Sequence, residues 1–407
     1  MDFDVIIVGG GAVGATLALE LEHLDYRVAV IELRQPIFAS GDPERVIALN
    51  YGSRRHFERL GLWQEIAATG IGDIRHIMVT EVGNRGRVDM DVSDCSGHVP
   101  ALGHVVAMGP MLEPIFQRLS RSSVQLFSPA SVSAFTLLAD VVTIQLLRDG
   151  NTETLTAALI IGADGSNSQI RRMAGIDTFG WDYNRFGIVA SVQCDRGHGH
   201  VAYECFRQSG PLALLPLSDG RFSIVWVAAP GEAAHLLDLD DETFIRVLSQ
   251  AAGEQALSQI GAFSGISKRA VYPLELTIAG AFAKPRLALI GNAAHTLHPV
   301  AGQGMNLGLR DVLSLLEVLA SDLARTDPGQ SILMQAYAGK RRADVIAVTA
   351  FTESMVRCFG SEMPAVKWLR GMALKHMPNI SFLHHLLLTQ AAGIAQTEKQ
   401  YAGARHE

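Results

Sequence analysis

Asp4-Val5-Ile6-Ile7-Val8-Gly9-Gly10-Gly11-Ala12-Val13-Gly14 is the stretch on which the fold turns. Val5 to Val8 is a short, continuous, largely β-branched apolar run, the pattern of a strand covered on both faces in a parallel sheet. Gly9, Gly11 and Gly14 follow at G-x-G-x-x-G spacing. The first permits a tight turn, the second lets the backbone approach a pyrophosphate, and the third lets the next helix pack close to the strand. That helix is predicted over about Ala12–Asp25, with Ala12 and Val13 at the positive end that faces the phosphates. A second strand, Val28-Ala29-Val30-Ile31, closes with Glu32, 18 residues after Gly14, where a carboxylate can accept ribose hydroxyls. These residues predict a dinucleotide site and leave NAD and FAD both open.

Two further stretches carry the same kind of signal. Leu159-Ile160-Ile161-Gly162-Ala163-Asp164-Gly165-Ser166 is a buried-strand run ending in a turn. Taken alone it reads as a helix cap, with Arg171 and Arg172 as solvated surface charge. Leu287-Ala288-Leu289-Ile290 is another such strand, broken by Gly291-Asn292-Ala293-Ala294-His295-Thr296-Leu297-His298-Pro299 and then by Gly302-Gln303-Gly304-Met305-Asn306. So many glycine and proline breaks predict a backbone lying close to something flat or charged, with a helix beginning near Met305.

Together the three stretches resemble the class A flavoprotein aromatic hydroxylases, the fold family of para-hydroxybenzoate hydroxylase. The resemblance implies an α/β fold: an FAD-binding domain with a parallel sheet and helices, a mostly antiparallel substrate-domain sheet, and a helical C-terminal region. It also implies that the first glycine loop holds the FAD diphosphate. Asp164 and Gly165 would lie along the ribityl and diphosphate portion. Gly291, Asn292, Gly302, Gln303, Gly304, Met305 and Asn306 would hold the ribityl chain and face the flavin ring. Arg45, opening Arg45-Val46-Ile47-Ala48-Leu49, resembles the family's arginine near the flavin, and His298 and Pro299 fall beside the ring. The family usually has Gly-Asp in the third stretch. Here Asn292 replaces the aspartate, and an amide can bond a ribityl hydroxyl without carrying charge.

Longer matches are similar to the ubiquinone-biosynthesis hydroxylases: Arg45 through Leu49 with Leu60-Gly61-Leu62-Trp63, Gly210-Pro211-Leu212-Ala213-Leu214-Leu215-Pro216-Leu217, Asp219-Gly220-Arg221-Phe222-Ser223-Ile224-Val225-Trp226, and His295 through Asp311. The Gly291-Asn292 pair most resembles the 2-octaprenyl-6-methoxyphenol hydroxylase branch. What this implies is an FAD-dependent monooxygenase of a prenylated phenol, using NAD(P)H and O2 by way of a C4a-hydroperoxide. The cofactor carries that chemistry, so the protein must bind, orient and exclude water, and no catalytic residue is singled out with certainty. Two rivals share the fold: a flavin oxidoreductase that inserts no oxygen, and a flavin-binding assembly subunit that holds other enzymes of the pathway together.

Composition narrows the classes further. At 407 residues, with 48% apolar and 18% charged residues, the chain can bury large cores in two or three domains. A formal net charge of -7 argues against nucleic acid as a partner. Cys95, Cys194, Cys205 and Cys358 show no C-x-x-C spacing, which fits isolated thiols in a reducing compartment. With no positively charged opening and no apolar run near ~18 residues, a cytoplasmic protein is expected. His295 and His298 sit at i, i+3 beside Pro299 with no third ligand at metal spacing, so no metal site is expected.

The domains are read as 1–73, 99–181 and 276–340 for FAD binding, 74–98 and 182–275 for the substrate sheet, and 341–407 for the helical region. Strand alternation marks Ile74–Glu81, Gly86–Val92, Phe186–Gln193, Val201–Arg207, Leu212–Leu217 and Arg221–Val227. Leu214, Leu215, Pro216 and Trp226 are candidates to line a path for a prenyl chain. Helical patterns follow at Leu333–Ser354, Val366–Lys375 and Ile380–Ala395. Arg357, Lys367, Arg370 and Lys375, against the single acid Glu362 and interleaved with Phe359, Trp368 and Leu369, read first as a helical cap packed on the core and second as a face that rests on an anionic membrane.

Overall fold

The computed structural model describes residues 1–39, 45–84, 86–95, 99–376 and 381–393. Strand Phe3–Val8 lies near the middle of an eight-stranded sheet, parallel both to Val28–Ile31 and to the end of Asn151–Gly162. Leu287–Leu289 extends the parallel set beyond Asn151–Gly162, and Gln125–Phe127 extends it beyond Val28–Ile31. All three signature strands are therefore neighbours, and their carboxyl ends open at one edge. Val5, Ile6, Ile7, Leu159, Ile160, Ile161 and Leu287 are fully buried, which explains their unbroken apolar runs. Each such side chain contributes roughly 1.5–3 kcal/mol of burial.

The first helix, Ala12–His23, packs against this sheet through Ala15, Leu17, Ala18, Leu19 and Leu21. It stops two residues short of the expected end because Asp25 adopts a left-handed conformation at φ 63°. The helix of the third stretch, Gln303–Leu319, and the long helix Ser331–Gly360 complete the first core.

A nine-stranded sheet forms the second layer, built mainly of antiparallel pairs among Thr178–Cys194, Val201–Phe206, Leu212–Pro216, Phe222–Ala228 and Ala270–Ala279. One pairing inside it is parallel, Val201–Phe206 with His76–Glu81. The run Ile74–Glu81 does not form a single strand. It breaks at Arg75, whose N–H bonds the His200 carbonyl. Ile71–Ile74 joins a separate three-stranded sheet with Val46–Asn50 and Gly103–Ala107. His295–Thr296 pairs with Thr277 and Ile278, so the third signature is also tied to the nine-stranded sheet.

Helices Pro230–Asp238 and Asp241–Ile260, which sequence patterning did not single out, cover one face of that sheet and enclose a second core. Side chains alternate across a strand, and this corrects part of the expected prenyl path. Leu214 and Trp226 point into the second core, where Trp226 is 1% exposed and packs at 5.7 Å from the Phe244 ring. Pro216 is buried at the end of its strand, on the parity of Leu212 and Leu214. Leu215, of opposite parity, turns to the other face. Helices Pro364–His376 and Ser381–Ala392 follow, while residues 377–380 and 394–407, and with them both ends of the expected Ile380–Ala395 helix, lie outside the described residues.

Trp226→Ala is expected to cost about 3–5 kcal/mol in urea unfolding, as for an aromatic removed from a closed core. The ratio of bound flavin to folded protein should not change. Loss of flavin without loss of stability would place Trp226 at the binding site instead.

Candidate functional site

The glycines of the first signature divide by what surrounds them. Gly9 has φ +108°, and a Cβ there would lie 2.3 Å from the Ala163 carbonyl oxygen. Gly14 could carry no Cβ because the Gly9 carbonyl lies in its way. Both are required by the chain's own packing. Gly11 is different: φ is an ordinary -64°, and no heavy atom lies within 4 Å of where its Cβ would be. Nothing in the protein demands glycine at this position, which fits a backbone left bare for the close approach of a ligand. It also caps helix Ala12–His23 without any side-chain hydrogen bond, leaving the first N–H groups, with Ala12 and Val13 behind them, for an anion. Glu32 stands at the end of the neighbouring strand. One of its oxygens accepts the Gly10 N–H at 2.6 Å and the other the Arg34 N–H at 3.1 Å, which fixes the carboxylate against the glycine loop.

Gly165 (φ +80°) and Gly304 likewise have no heavy atom within 4 Å of the point a Cβ would occupy, so each of the three stretches presents one bare glycine to open space. The Asp164 carboxylate is occupied within the turn, accepting from the Ser168 hydroxyl and from the N–H groups of Gln169 (2.7 Å) and Ile170 (3.1 Å). It shapes the backbone that carries Gly165. Arg171 is not the solvated charge its sequence suggests. It is buried and donates to the Ala293 carbonyl (2.8 Å) and the Ser166 carbonyl (2.9 Å), stitching the second stretch to the third. Arg172, by contrast, is exposed. The exposed amide of Asn292 lies 3.4 Å from the Ser166 hydroxyl, across the same junction.

The third stretch is held by a buried ion cluster. Asp311, fully buried on helix Gln303–Leu319, accepts from the Gly291 N–H (2.7 Å), His295 Nε2 (2.7 Å) and Arg341 Nε (2.5 Å). Burial alone would raise its pKa, but His295 and Arg341 beside it hold the carboxyl below the usual aspartate range. Tyr337 donates to the Leu289 carbonyl at 2.8 Å, so the long helix grips the third strand directly. None of these contacts was foreseen. An aspartate on the apolar face of an amphipathic helix was the available signal for Asp311.

Ala301 and Gly302 are consecutive left-handed residues (φ 59° and 60°) that turn the chain into helix Gln303–Leu319, whose N-terminus has no side-chain cap. Asn306 bonds the Ala48 and Gly302 carbonyls through its amide nitrogen, both at 2.9 Å. Its oxygen accepts from the Asn50 N–H and the Ser53 hydroxyl. The amide is thus fully used in joining this loop to strand Val46–Asn50. His298 Nδ1 accepts the Val300 N–H, and its ring meets Tyr183 edge-on at 4.9 Å. Burial pushes His298 down to about 4, so it is neutral. Arg45 is exposed and outside the cavity wall, whereas the strand it opens lies within that wall.

That wall encloses about 520 Å³, within the usual range for a small-molecule site. Its lining includes His298, Pro299, Gly302, Gln303, Gly304 and Met305 from the third stretch. Ala213, Leu215 and Val225 enter from the nine-stranded sheet, and Leu374, Leu387 and Ala391 from the last two helices. Leu215 is therefore the one member of the expected prenyl path that reaches the cavity. Bare glycines, an uncapped helix start and an apolar chamber beside it suit a dinucleotide cofactor whose reactive ring projects toward a largely hydrocarbon ligand. No group of three or more His, Cys, Asp or Glu side chains among the described residues could hold a metal ion.

Residues 2–352 match the family described as FAD binding domain. The ubiquinone hydroxylase UbiL of Rhodospirillum rubrum is 34% identical over 394 residues, covering 96% of this chain and 89% of that protein. The 3-demethoxyubiquinol 3-hydroxylase of Escherichia coli is 31% identical over 396 residues, covering 96% of this chain and 98% of that one. Among solved structures, the p-nitrophenol 4-monooxygenase PnpA of Pseudomonas putida aligns with a TM-score of 0.77 at 20% identity, over 95% of this chain and 96% of its own. That last likeness is one of fold.

Gly11→Val should leave thermal stability within about 1 kcal/mol of the parent, since the position is open and its φ is ordinary. Flavin affinity should fall at least about tenfold, a loss of ~1.4 kcal/mol or more. Titration of the apoprotein with FAD would measure this, and undiminished affinity would remove the diphosphate from Gly11.

Proposed function

Because this chain belongs to the FAD-dependent monooxygenases, within the group of ubiquinone-biosynthesis hydroxylases, we propose that it hydroxylates the aromatic ring of a prenylated phenol in ubiquinone synthesis. The observation that carries this reading is the cavity. It joins the flavin-facing loop to two C-terminal helices through an almost wholly apolar wall, as a polar ring with a long hydrocarbon tail requires. The Gly291-Asn292 pair favours a substrate of the 2-octaprenyl-6-methoxyphenol kind.

FAD is the cofactor; when bound and reduced by NAD(P)H it supplies the electrons and the activated oxygen. Gly9, Gly11, Ala12, Val13 and Gly14 would hold its diphosphate, and Glu32 its ribose. The turn carrying Gly165 and the Gly291-Asn292 corner would hold the ribityl chain. The start of helix Gln303–Leu319 would face the ring, where the positive end of a helix favours the negative charge of a reduced flavin. Leu215, Val225 and Met305, which line the cavity, would keep water from the reacting centre. Flavin-loaded protein should oxidise NAD(P)H faster when a decyl-substituted methoxyphenol is added, and one atom of labelled O2 should appear in the product. Oxidation without label would favour the oxidoreductase reading, and a colourless protein that still binds other enzymes of the pathway would favour the assembly subunit.

Helix Pro364–His376 supports a membrane contact as part of the same reading. Its inner face, at Arg370, Ala373 and Leu374, lines the cavity, while Trp368, Leu369 and Met372 on the helix, and Met363 just before it, are 41–64% exposed. Lys367 and Lys375 are exposed on that helix, and Arg357 is exposed at the end of the preceding one. Arg370 is not part of this basic face: it is buried and bonds Glu81 and the carbonyls of Cys358 and Phe359. No helix among the described residues is long and apolar enough to cross a membrane, so the contact would be with the surface of an anionic bilayer. Replacing both Trp368 and Leu369 by Glu should reduce flotation with acidic liposomes several-fold while leaving turnover of a short-tailed phenol intact. Equal flotation would remove the lipid contact.

A further inference from the structure

Strand Val201–Phe206 distributes its side chains between two environments. Tyr203 and Cys205 belong to the second core, whereas Ala202, Glu204 and Phe206 line the cavity. Glu204 is the one acidic side chain among the described residues of that lining. Its cross-strand neighbours are Val79 and Ala213, which also line the cavity, so hydrocarbon flanks the carboxyl on both sides. Among the described residues no hydrogen bond or ion pair reaches it, and burial by itself pushes the carboxyl up to about 7. By solvent exposure the residue is half-buried, and the surface it keeps belongs to the chamber wall. A carboxyl without a protein partner, set among hydrocarbon in a ligand-sized chamber, is placed to receive its partner from the ligand.

The other ionisable groups around the chamber are already committed or neutral. Arg370, from helix Pro364–His376, is engaged by Glu81 at the end of strand His76–Glu81 and by two backbone carbonyls. His298, from the third stretch, is neutral through burial. The Tyr203 hydroxyl turns away to Gln259. Helix Ser331–Gly360 contributes the Cys358 thiol. Strands Arg87–Asp91, Leu212–Pro216 and Phe222–Ala228 present only apolar side chains to the chamber, and helix Ser381–Ala392 adds the neutral Gln390.

We infer that Glu204 anchors the ring hydroxyl of the phenolic substrate and accepts its proton, which deepens the phenol-hydroxylase reading and rests on it. The phenol O–H bond breaks, the proton moves to a Glu204 oxygen, and the ring oxygen keeps the electron pair. The resulting phenolate is richer in electrons at the carbons that must receive an electrophilic oxygen atom. Once a ring C–H has become C–OH, the displaced hydrogen leaves as a proton as the ring regains aromaticity. The phenolate oxygen takes back the proton Glu204 held. Two electrons from NAD(P)H reduce the second atom of O2 to water. A carboxyl near neutrality serves this exchange better than an ordinary one, because proton transfer is most efficient when the acceptor titrates close to the working pH.

The test compares a decylphenol with its methyl ether, decylanisole, by their perturbation of the bound flavin spectrum. The wild-type holoprotein should bind the phenol about tenfold more tightly, and the preference should grow as pH rises through about 7. Glu204→Leu should abolish the preference while keeping FAD and the affinity for decylanisole. Glu204→Gln, nearly identical in shape, should keep a preference that no longer varies with pH. A Leu variant that still distinguishes phenol from ether, or a Gln variant with the wild-type pH profile, would overturn the inference. Both outcomes are read from binding to the flavin-loaded protein, so they are distinct from failure of the parent reading, in which labelled oxygen does not enter the product.

Discussion

A single buried carboxylate sets the geometry of the third glycine turn, on which one wall of the cavity depends. Asp311 has no exposed side-chain surface, and a lone charge in that position would be expelled or neutralised. It persists because His295 and Arg341 face it and the Gly291 N–H points at it. These partners come from three parts of the chain: the third glycine turn, the following strand residue and the long helix Ser331–Gly360. Removing one member of such a buried cluster typically costs about 3–5 kcal/mol, because the remaining charge is stranded. The turn that carries Gly291 and Asn292 is therefore held electrostatically from behind, and its outer surface is left free. Arg171 performs the related task at the neighbouring junction, tying the Ser166 and Ala293 carbonyls to one guanidinium.

This arrangement explains which parts of the structure were legible in the sequence. Parallel strands buried on both faces need continuous apolar runs, and glycines that meet backbone tolerate no side chain. Phe3–Val8, Val28–Ile31, the apolar end of Asn151–Gly162 from Leu159 on, and Gly9 and Gly14 could therefore be read directly. The antiparallel layer was legible as a set of strands but not in its register. The break at Arg75 arises from a hydrogen bond to His200, more than a hundred residues away, and alternation in one strand cannot reveal it. The same limit applies to Leu214 and Trp226. Each is apolar on an alternating strand, and only the helices between residues 230 and 260 determine which face becomes core. Arg171 and Arg370 look like surface charge because their acceptors are mostly backbone carbonyls, which carry no signature of their own.

The cavity is where the two layers meet, and its chemistry follows from that meeting. The first layer contributes bare backbone and helix starts, which suit phosphate and a polar ring. The second contributes one side of several of its strands, apolar among the described residues except at Glu204. On the proposed function, a flat redox ring and a greasy substrate would share one enclosure without either surface being compromised for the other. Glu204 was overlooked in the sequence because a glutamate between Tyr203 and Cys205 resembles the solvent-facing partner in an alternating strand. Only the chamber beneath it turns that position inward.

Helix Pro364–His376 has a different consequence. It walls the far part of the enclosure yet belongs to a stretch of chain that contributes nothing to the glycine turns. Substitutions along Arg370, Ala373 and Leu374 can alter how much hydrocarbon is accommodated without disturbing the redox machinery. On the proposed function, selectivity for tail length and oxidative chemistry would then occupy separate mutational axes. A lineage could drift along the first while the second stays constant.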